Sequence, residues 1–568
     1  MKQKQIIALV SATALAATAL AGCGKTSEEN TQTTAVSEAE GTAKEDLPLS
    51  KYPETVTVHL GGSLNPNAKI PDGMSYDDNS YTRFLKDDLN IEVVYDWVAS
   101  SSDFDEKMNL CIGSGTIPEL MNVNATQYRA LVKYDMIQPL DQYFDDYASD
   151  ALKGYVESGG EELKKCISND KGEMMAIPAP NITAGGINEM WIRQDWLDNL
   201  GLEAPRTWDE LVTVAEAFVT QDPDGNGEAD TIGILGPSNS DHMNAIGGNQ
   251  YGLDPLFSRF QSYPQYWLQD EDGTVKYGSI QPETRTALEK IQKLYTDKLI
   301  DPEMLVRNDS TEPLLAGKVG IFFGPWWCGY TVADATLAGE ADWRAYFTPL
   351  SEDGKYYTHM PDPTSKYVVV SKSCKNPEAA IKIINYLIAY GKDWAADGTN
   401  AKMDFSQFYP LWNVYENADE IEVSTETLEK YLAGEITMDD VDFSQHRLLK
   451  NDMEAVTELK KEPYDDFSLD KWNLDSDLAK INLPRLVSLL VGGNPLVNDK
   501  YIPVYNAYNG QTETMQTKWA NLKKMEEETF AKIVMGKADI SEFDTFVENW
   551  KNQGGDQILK EINDELSK

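Results

Sequence analysis

Histidine is scarce in this chain, with four in 568 residues. His59, His242, His359 and His446 stand far apart, and none has zinc-ligand spacing, so each reads as a structural residue. Cysteine is nearly as sparse. After Cys23 there are only Cys111, Cys166, Cys328 and Cys374, without a CxxC pair. That excludes a disulfide framework and leaves both isolated disulfides and buried thiols open. Basic residues are few beside the acids: 50 Lys and Arg against 93 Asp and Glu, a net charge of −43. Such a surface repels nucleic acid and anionic lipid heads, although one local site can still take an anion. No apolar run beyond residue 20 is long enough to span a bilayer, so the remainder reads as soluble. Neither a GxSxG nor an HExxH motif occurs.

What is present begins at the N-terminus. Lys2 and Lys4 precede the apolar stretch from Ile6 to Leu20, which is too short for a transmembrane helix. Leu20-Ala21-Gly22-Cys23 closes it and resembles the lipobox of bacterial lipoproteins. The resemblance implies cleavage after residue 22 and acylation of Cys23. Two or three acyl chains hold firmly where one does not, so the expected location is the outer face of the plasma membrane. Residues 23–52 are rich in Ser, Thr, Glu, Gln and Ala, which predicts a disordered tether.

From residue 53 the pattern is α/β, and the length exceeds what one core supports. Thr55 to Leu60 reads as a strand closed by Gly61-Gly62. Asn79 to Leu89 reads as a helix with Tyr81, Leu85 and Leu89 on one stripe. Ile91 to Tyr95 and Pro118 to Val123 read as strands around a helix capped by Asp103. Thr207 and Glu210 have capping-box spacing. The alternation predicts a mainly parallel sheet. No internal repeat is present.

Asp222-Pro223-Asp224-Gly225-Asn226-Gly227-Glu228-Ala229-Asp230 places oxygen side chains at positions 1, 3, 5 and 9 of an EF-hand-like loop. Gly227 stands at position 6, and the Glu228 main-chain carbonyl at position 7. Position 12 is Gly233 rather than glutamate, so one ligand is missing or comes from elsewhere. A structural Ca²⁺ held by Asp222, Asp224, Asn226, Glu228 and Asp230 is the expectation, against a plain acidic turn.

The chain also has 13 Trp and 28 Tyr, enough for flat platforms under the C–H faces of sugars. Gly324-Pro325-Trp326-Trp327 follows an apolar strand, whose C-terminal edge is where open α/β sheets bind ligands. Asn124 and Gln127 follow the third strand and suit hydroxyl recognition. Asn79 is a candidate of the same kind or a helix N-cap. Arg193 suits a carboxylate or a hydroxyl pair, or else a salt bridge to Asp195.

Several segments together resemble the extracellular solute-binding proteins of family 1, receptors of ABC importers, in the large lipoprotein (LipO-like) branch. They are Asp78 to Arg83, Ile192 to Leu202 with Pro205 and Thr207-Trp208, Ala316 to Trp327, Ser373 to Leu387, Gly510 to Thr514 and Lys532 to Gly536. Their order and spacing carry the resemblance. It implies a two-lobe, type II α/β fold with a hinge and a ligand cleft. The expected lobes are 53–178 plus 355–395 and 179–354 plus 396–568, behind a signal at 1–22. It implies a stacking role for Trp326, extended by Trp327, and places Trp191 at a lobe crossing. It also puts Tyr251, Tyr263, Tyr266 and Trp267 where related binders keep cleft aromatics. Uronate-binding relatives carry a loop like 222–230, with an acid where Thr231 stands here.

The expected function is therefore a monomeric, lipid-anchored, non-enzymatic receptor. It would capture an oligosaccharide, neutral or uronic-acid-containing, and deliver it to ABC-importer permease subunits, with no nucleic-acid partner. The competing readings are a carbohydrate-sensing ectodomain partner and an extracellular polysaccharide hydrolase or lyase.

Overall fold

The computed structural model describes residues 44–238, 250–339, 341–396, 404–446, 448–460, 471–473 and 477–567. The signal segment, Cys23 and His242 lie outside the described residues. Among those described, no helix is long and apolar enough to cross a membrane. No disulfide joins Cys111, Cys166, Cys328 and Cys374.

The tether expected through residue 52 fails at its end. Lys44–Leu49 form a 3-10 turn, and the residues after it are fastened to the helix Glu378–Ala396. Lys382 donates to the Ser50 carbonyl at 2.5 Å and to its hydroxyl at 2.7 Å. Its ammonium also lies 4.7 Å from the Tyr52 ring. The Tyr52 hydroxyl donates to Glu378 at 2.9 Å. A polar sequence is ordered here because one buried lysine and one aromatic ring give it partners.

Packing divides the chain into two compact units. The first runs to Lys153 and includes Ile167–Pro178 and Lys366–Tyr415; the second holds Gly154–Cys166, Ala179–Ser365 and Glu416–Lys568. Three segments thus depart from the expected lobes. Residues 154–166 join the second unit, where the Ala418 amide donates to Ser158 Oγ at 2.8 Å. Residues 355–365 do so because Tyr356–His359 pairs in parallel with Tyr501–Val504. Residues 404–415 belong to the first unit, where the Tyr409 hydroxyl donates to the Ile383 carbonyl at 2.6 Å.

Nine strands build the two main sheets: β1 (Val56–Leu64), β2 (Ile91–Ser100), β3 (Leu120–Val123), β4 (Ile177–Pro180), β5 (Glu189–Arg193), β6 (Ile232–Ile234), β7 (Val319–Gly324), β8 (Trp343–Tyr346) and β9 (Thr364–Val370). One sheet has the order β2-β1-β3-β9-β4, the other β8-β5-β7-β6. Both are mixed, and the second departs from the expected mainly parallel arrangement. β1 runs parallel to β2 and β3, but β9 is antiparallel to β3. In the second sheet β5 is antiparallel to β7 and β8, and only β6 runs parallel to β7.

The glycines expected to close β1 lie inside it. A Cβ at Gly61 would collide with the Trp97 ring, and one at Gly62 with Tyr76, so the strand continues because rings cover it. Asp103 accepts from Ser100 and Ser102 but makes no cap bond to the helix Phe104–Ser114.

The second unit's sheet is buried on both faces. Met190, Ile192, Ile321 and Phe323 enter one apolar cluster, whereas Trp191 and Phe322 enter another, following the period-2 alternation of the strands.

Candidate functional site

The expected contacts of the first unit are spent on the fold. Asn79 is fully buried and caps the helix Ser80–Leu89. Its Oδ1 accepts from the amides of Tyr81 and Thr82 at 2.9 and 3.2 Å, and its Nδ2 donates to the Tyr76 carbonyl at 2.7 Å. Asn124 and Gln127 form a reciprocal capping box on Ala125–Lys133, with bonds of 3.0 and 3.2 Å. Both amides also donate to Asp105, at 3.3 and 3.1 Å. The polar residues that end β3 serve helix starts.

In the second unit, four of the expected contacts are core or ion-pair residues. Trp191 is fully buried, stacks on Phe322 at 5.9 Å and donates Nε1 to the Gly324 carbonyl at 3.2 Å. Arg193 pairs bidentately with Asp195 at 2.7 and 2.5 Å, over the Trp196 ring. Tyr251 donates to Thr311 at 3.1 Å. Trp267 packs on Tyr277 and Trp519.

Trp326 and Trp327 open a 3-10 turn directly after β7. Trp326 is only 7% exposed, and its Nε1 has no hydrogen-bond partner among the described residues. Trp327 is half-buried.

Beside them lies a polar group that the sequence reading passed over. Glu189 opens β5 in register with Gly324, two residues before Trp326. Its side chain is fully buried, and neither carboxyl oxygen has a partner among the described residues. Burial alone pushes this carboxyl well above its ordinary range. The next residue back, Asn188, donates to Asp254 Oδ1 at 2.5 Å and accepts the Tyr356 hydroxyl at 2.5 Å. Asp254 Oδ2 lies 3.8 Å from His359 Nδ1. His359 is also fully buried, and neither ring nitrogen has a hydrogen-bond partner among the described residues. Tyr263 and Tyr266 stand edge-on to its ring at 5.4 and 4.7 Å. A buried polar atom without a partner costs about 1–3 kcal/mol. Four such atoms on Glu189 and His359 therefore mark a place that the fold leaves incomplete among the described residues. The signal was legible: Asn188-Glu189 interrupts the apolar run from Ile187 to Ile192.

The loop at 222–230 folds tightly, with Asp222 and the glycines Gly225 and Gly227 at positive φ. Asp222 Oδ2 accepts from the Gly227 amide at 3.1 Å. Asn226 Nδ2 bridges Asp224 and Asp230 at 2.8 and 3.2 Å, and Glu228 N donates to Asn226 Oδ1. Lys318 Nζ lies 2.8 Å from Asp230 Oδ2 and holds that carboxyl below its ordinary range. Partial burial, and then the neighbouring Asp222 and Asp230, raise Asp224. Nitrogen donors thus sit among oxygens of the kind calcium uses. Among the described residues, no three His, Cys, Asp or Glu side chains converge on a metal position in this conformation.

Residues 67–392 match the family model of the bacterial extracellular solute-binding proteins. The fructooligosaccharide ABC transporter substrate-binding protein FusA of Streptococcus pneumoniae is 30% identical over 246 residues, covering 40% of this chain and only 43% of that relative. The polygalacturonan/rhamnogalacturonan-binding protein YtcQ of Bacillus subtilis is 23% identical over 497 residues, 83% of this chain and 85% of YtcQ. An HMO-binding, ABC-transporter-associated solute-binding protein from Bifidobacterium longum infantis has the same fold, with a TM-score of 0.55 at 16% identity. It covers 90% of this chain and 98% of that one.

Proposed function

The chain belongs to the bacterial extracellular solute-binding proteins, and we propose that it is the sugar-binding component of an ABC importer. It takes up an oligosaccharide and hands it chemically unchanged to permease subunits. It is held on the outer face of the membrane by an acylated Cys23. The sugar specificities named for FusA and YtcQ support the ligand class. The observation that carries the reading is the Trp326-Trp327 pair at the end of β7, with an indole N–H that has no acceptor among the described residues.

Thermal-shift measurements on the mature protein test it. A neutral or acidic oligosaccharide should raise the melting temperature, and flat curves across all carbohydrate pools would count against the sugar reading. Trp326→Ala should remove that rise, but not cleanly. Its burial in the apolar core makes it costly by itself, about 3–5 kcal/mol. Trp327→Ala, at a half-buried position, is therefore the cleaner variant: ligand response lost, unliganded melting nearly kept.

The loop at 222–230 is proposed to take calcium through the side chains of Asp222, Asp224, Asn226 and Asp230 and the carbonyl of Glu228. Calcium there would supply charge neutralisation, and Lys318 would have to leave Asp230. EDTA should lower the melting temperature and added Ca²⁺ restore it; an unmoved melting curve excludes the site.

A further inference from the structure

Glu189, Asp254 and His359 belong to one buried pole of the second unit. Asn188 is bonded to Asp254 and adjoins Glu189, and its carbonyl accepts the Tyr356 hydroxyl. Both carboxyls act electrostatically on that same hydroxyl. Through Glu189, which is in register with Gly324, the pole adjoins the strand end that leads into Trp326. Among the described residues, four polar atoms of Glu189 and His359, two on a carboxyl and two on an imidazole, lack a partner, in side chains with no solvent exposure.

Hydroxyl groups are the natural complement of this set. Each hydroxyl both donates and accepts, as the Glu189 carboxyl and the His359 ring together require. Charge decides which hydroxyl-bearing ligand fits. Among the described residues, no Lys or Arg pairs with Glu189 or Asp254, and the one ionisable base facing Asp254 is His359. A ligand carboxylate brought here would be a third buried acid with no cation to meet it.

Building on the sugar-binding reading above, we propose that Glu189 and His359, the latter backed by Asp254, read the hydroxyls of a sugar residue beside Trp326, and that this pole selects an uncharged sugar over a uronate. Glu189 and His359 are then specificity residues, and the second unit favours neutral oligosaccharides.

Isothermal calorimetry on the mature protein tests this with two probe sets of matched length: neutral fructo-, malto- and galacto-oligosaccharides, and oligogalacturonates. The expected result is a neutral ligand that binds at least tenfold tighter than any oligogalacturonate. Glu189→Gln and His359→Gln should each weaken it at least tenfold, with unliganded melting kept. An oligogalacturonate that binds more tightly than every neutral probe overturns the inference. So do unchanged affinities in both variants while Trp327→Ala loses binding, a result that leaves the sugar-binding reading standing. Binding of no saccharide at all sinks that reading as well. Should a variant fail to fold, the comparison of the two probe sets on the parent protein decides alone.

Discussion

Two buried glutamates of the second unit make opposite use of the same side chain. Glu526, on the helix Glu513–Val534, has no solvent exposure and accepts the hydroxyls of Tyr277 and Ser279, each at 2.8 Å. Glu189 is equally buried and accepts nothing among the described residues. Around Glu526 the fold supplies its own donors, and Tyr277 is stacked on Trp550 at 4.9 Å. Around Glu189 it does not. A buried carboxyl that the chain satisfies is part of folding, whereas one it leaves unsatisfied is a cost that folding alone does not explain.

The sharpest way to break this contrast is to remove both carboxyls in turn. Glu526→Leu orphans two buried hydroxyls at about 1–3 kcal/mol each, so a loss of roughly 4 kcal/mol is expected. Glu189→Leu orphans nothing and replaces an unsolvated acid by a hydrocarbon of similar size. It should stay within about 1 kcal/mol of the parent, or exceed it. Equilibrium urea unfolding of the ligand-free protein measures both. Equal losses would mean that Glu189 is structural after all.

Proton linkage gives a second, somewhat smaller contrast. Burial, the largest cause, raises the Glu526 carboxyl from 4.5 to about 7 against the lowering effect of its two hydroxyl donors. The folded state therefore holds a proton that the unfolded chain releases. This contribution is fully present below pH 4.5 and is lost as pH rises through about 7. The span corresponds to roughly 3 kcal/mol. Glu526→Gln should flatten the stability profile over that window, and the slope that persists in the variant belongs to groups such as Glu189, raised by burial alone. A profile identical to the parent's would remove Glu526 from the linkage.

Local chemistry made part of this architecture legible in the sequence. Thr207 and Glu210 form the expected capping box, with bonds of 3.3 and 3.0 Å, because both partners lie within one helical turn. The stripe of Tyr81, Leu85 and Leu89 is buried as its period required. What escaped was set by partners distant in sequence. Gly61-Gly62 reads as a stop until Trp97 and Tyr76 lie across it. The tether reading ended too late because Lys382 is far from Ser50 in sequence. Tyr277 is likewise remote from Glu526, as Tyr356 is from Asn188. No local pattern says which buried acid will find a donor. The polar residues expected as ligand contacts after β3, Asn124 and Gln127, likewise have a local capping role that their residue types did not separate from recognition.

That capping role yields the smallest effect and the finest discrimination. Asn124 was a candidate ligand contact, but its Oδ1 accepts the Gln127 amide at 3.0 Å and its Nδ2 donates to Asp105 at 3.3 Å. Replacing an Asn cap by Ala costs about 1 kcal/mol. Asn124→Ala should therefore lower the urea midpoint by that amount while leaving the calorimetric affinity for the best saccharide unchanged, the reverse of Glu189→Gln, which should lose affinity and keep its midpoint. The two variants together separate polar groups that hold the fold from those that wait for a ligand. If Asn124→Ala instead loses affinity at constant stability, the capping amide has a second role in recognition, and the division drawn between the Glu526 and Glu189 environments does not extend to the first unit.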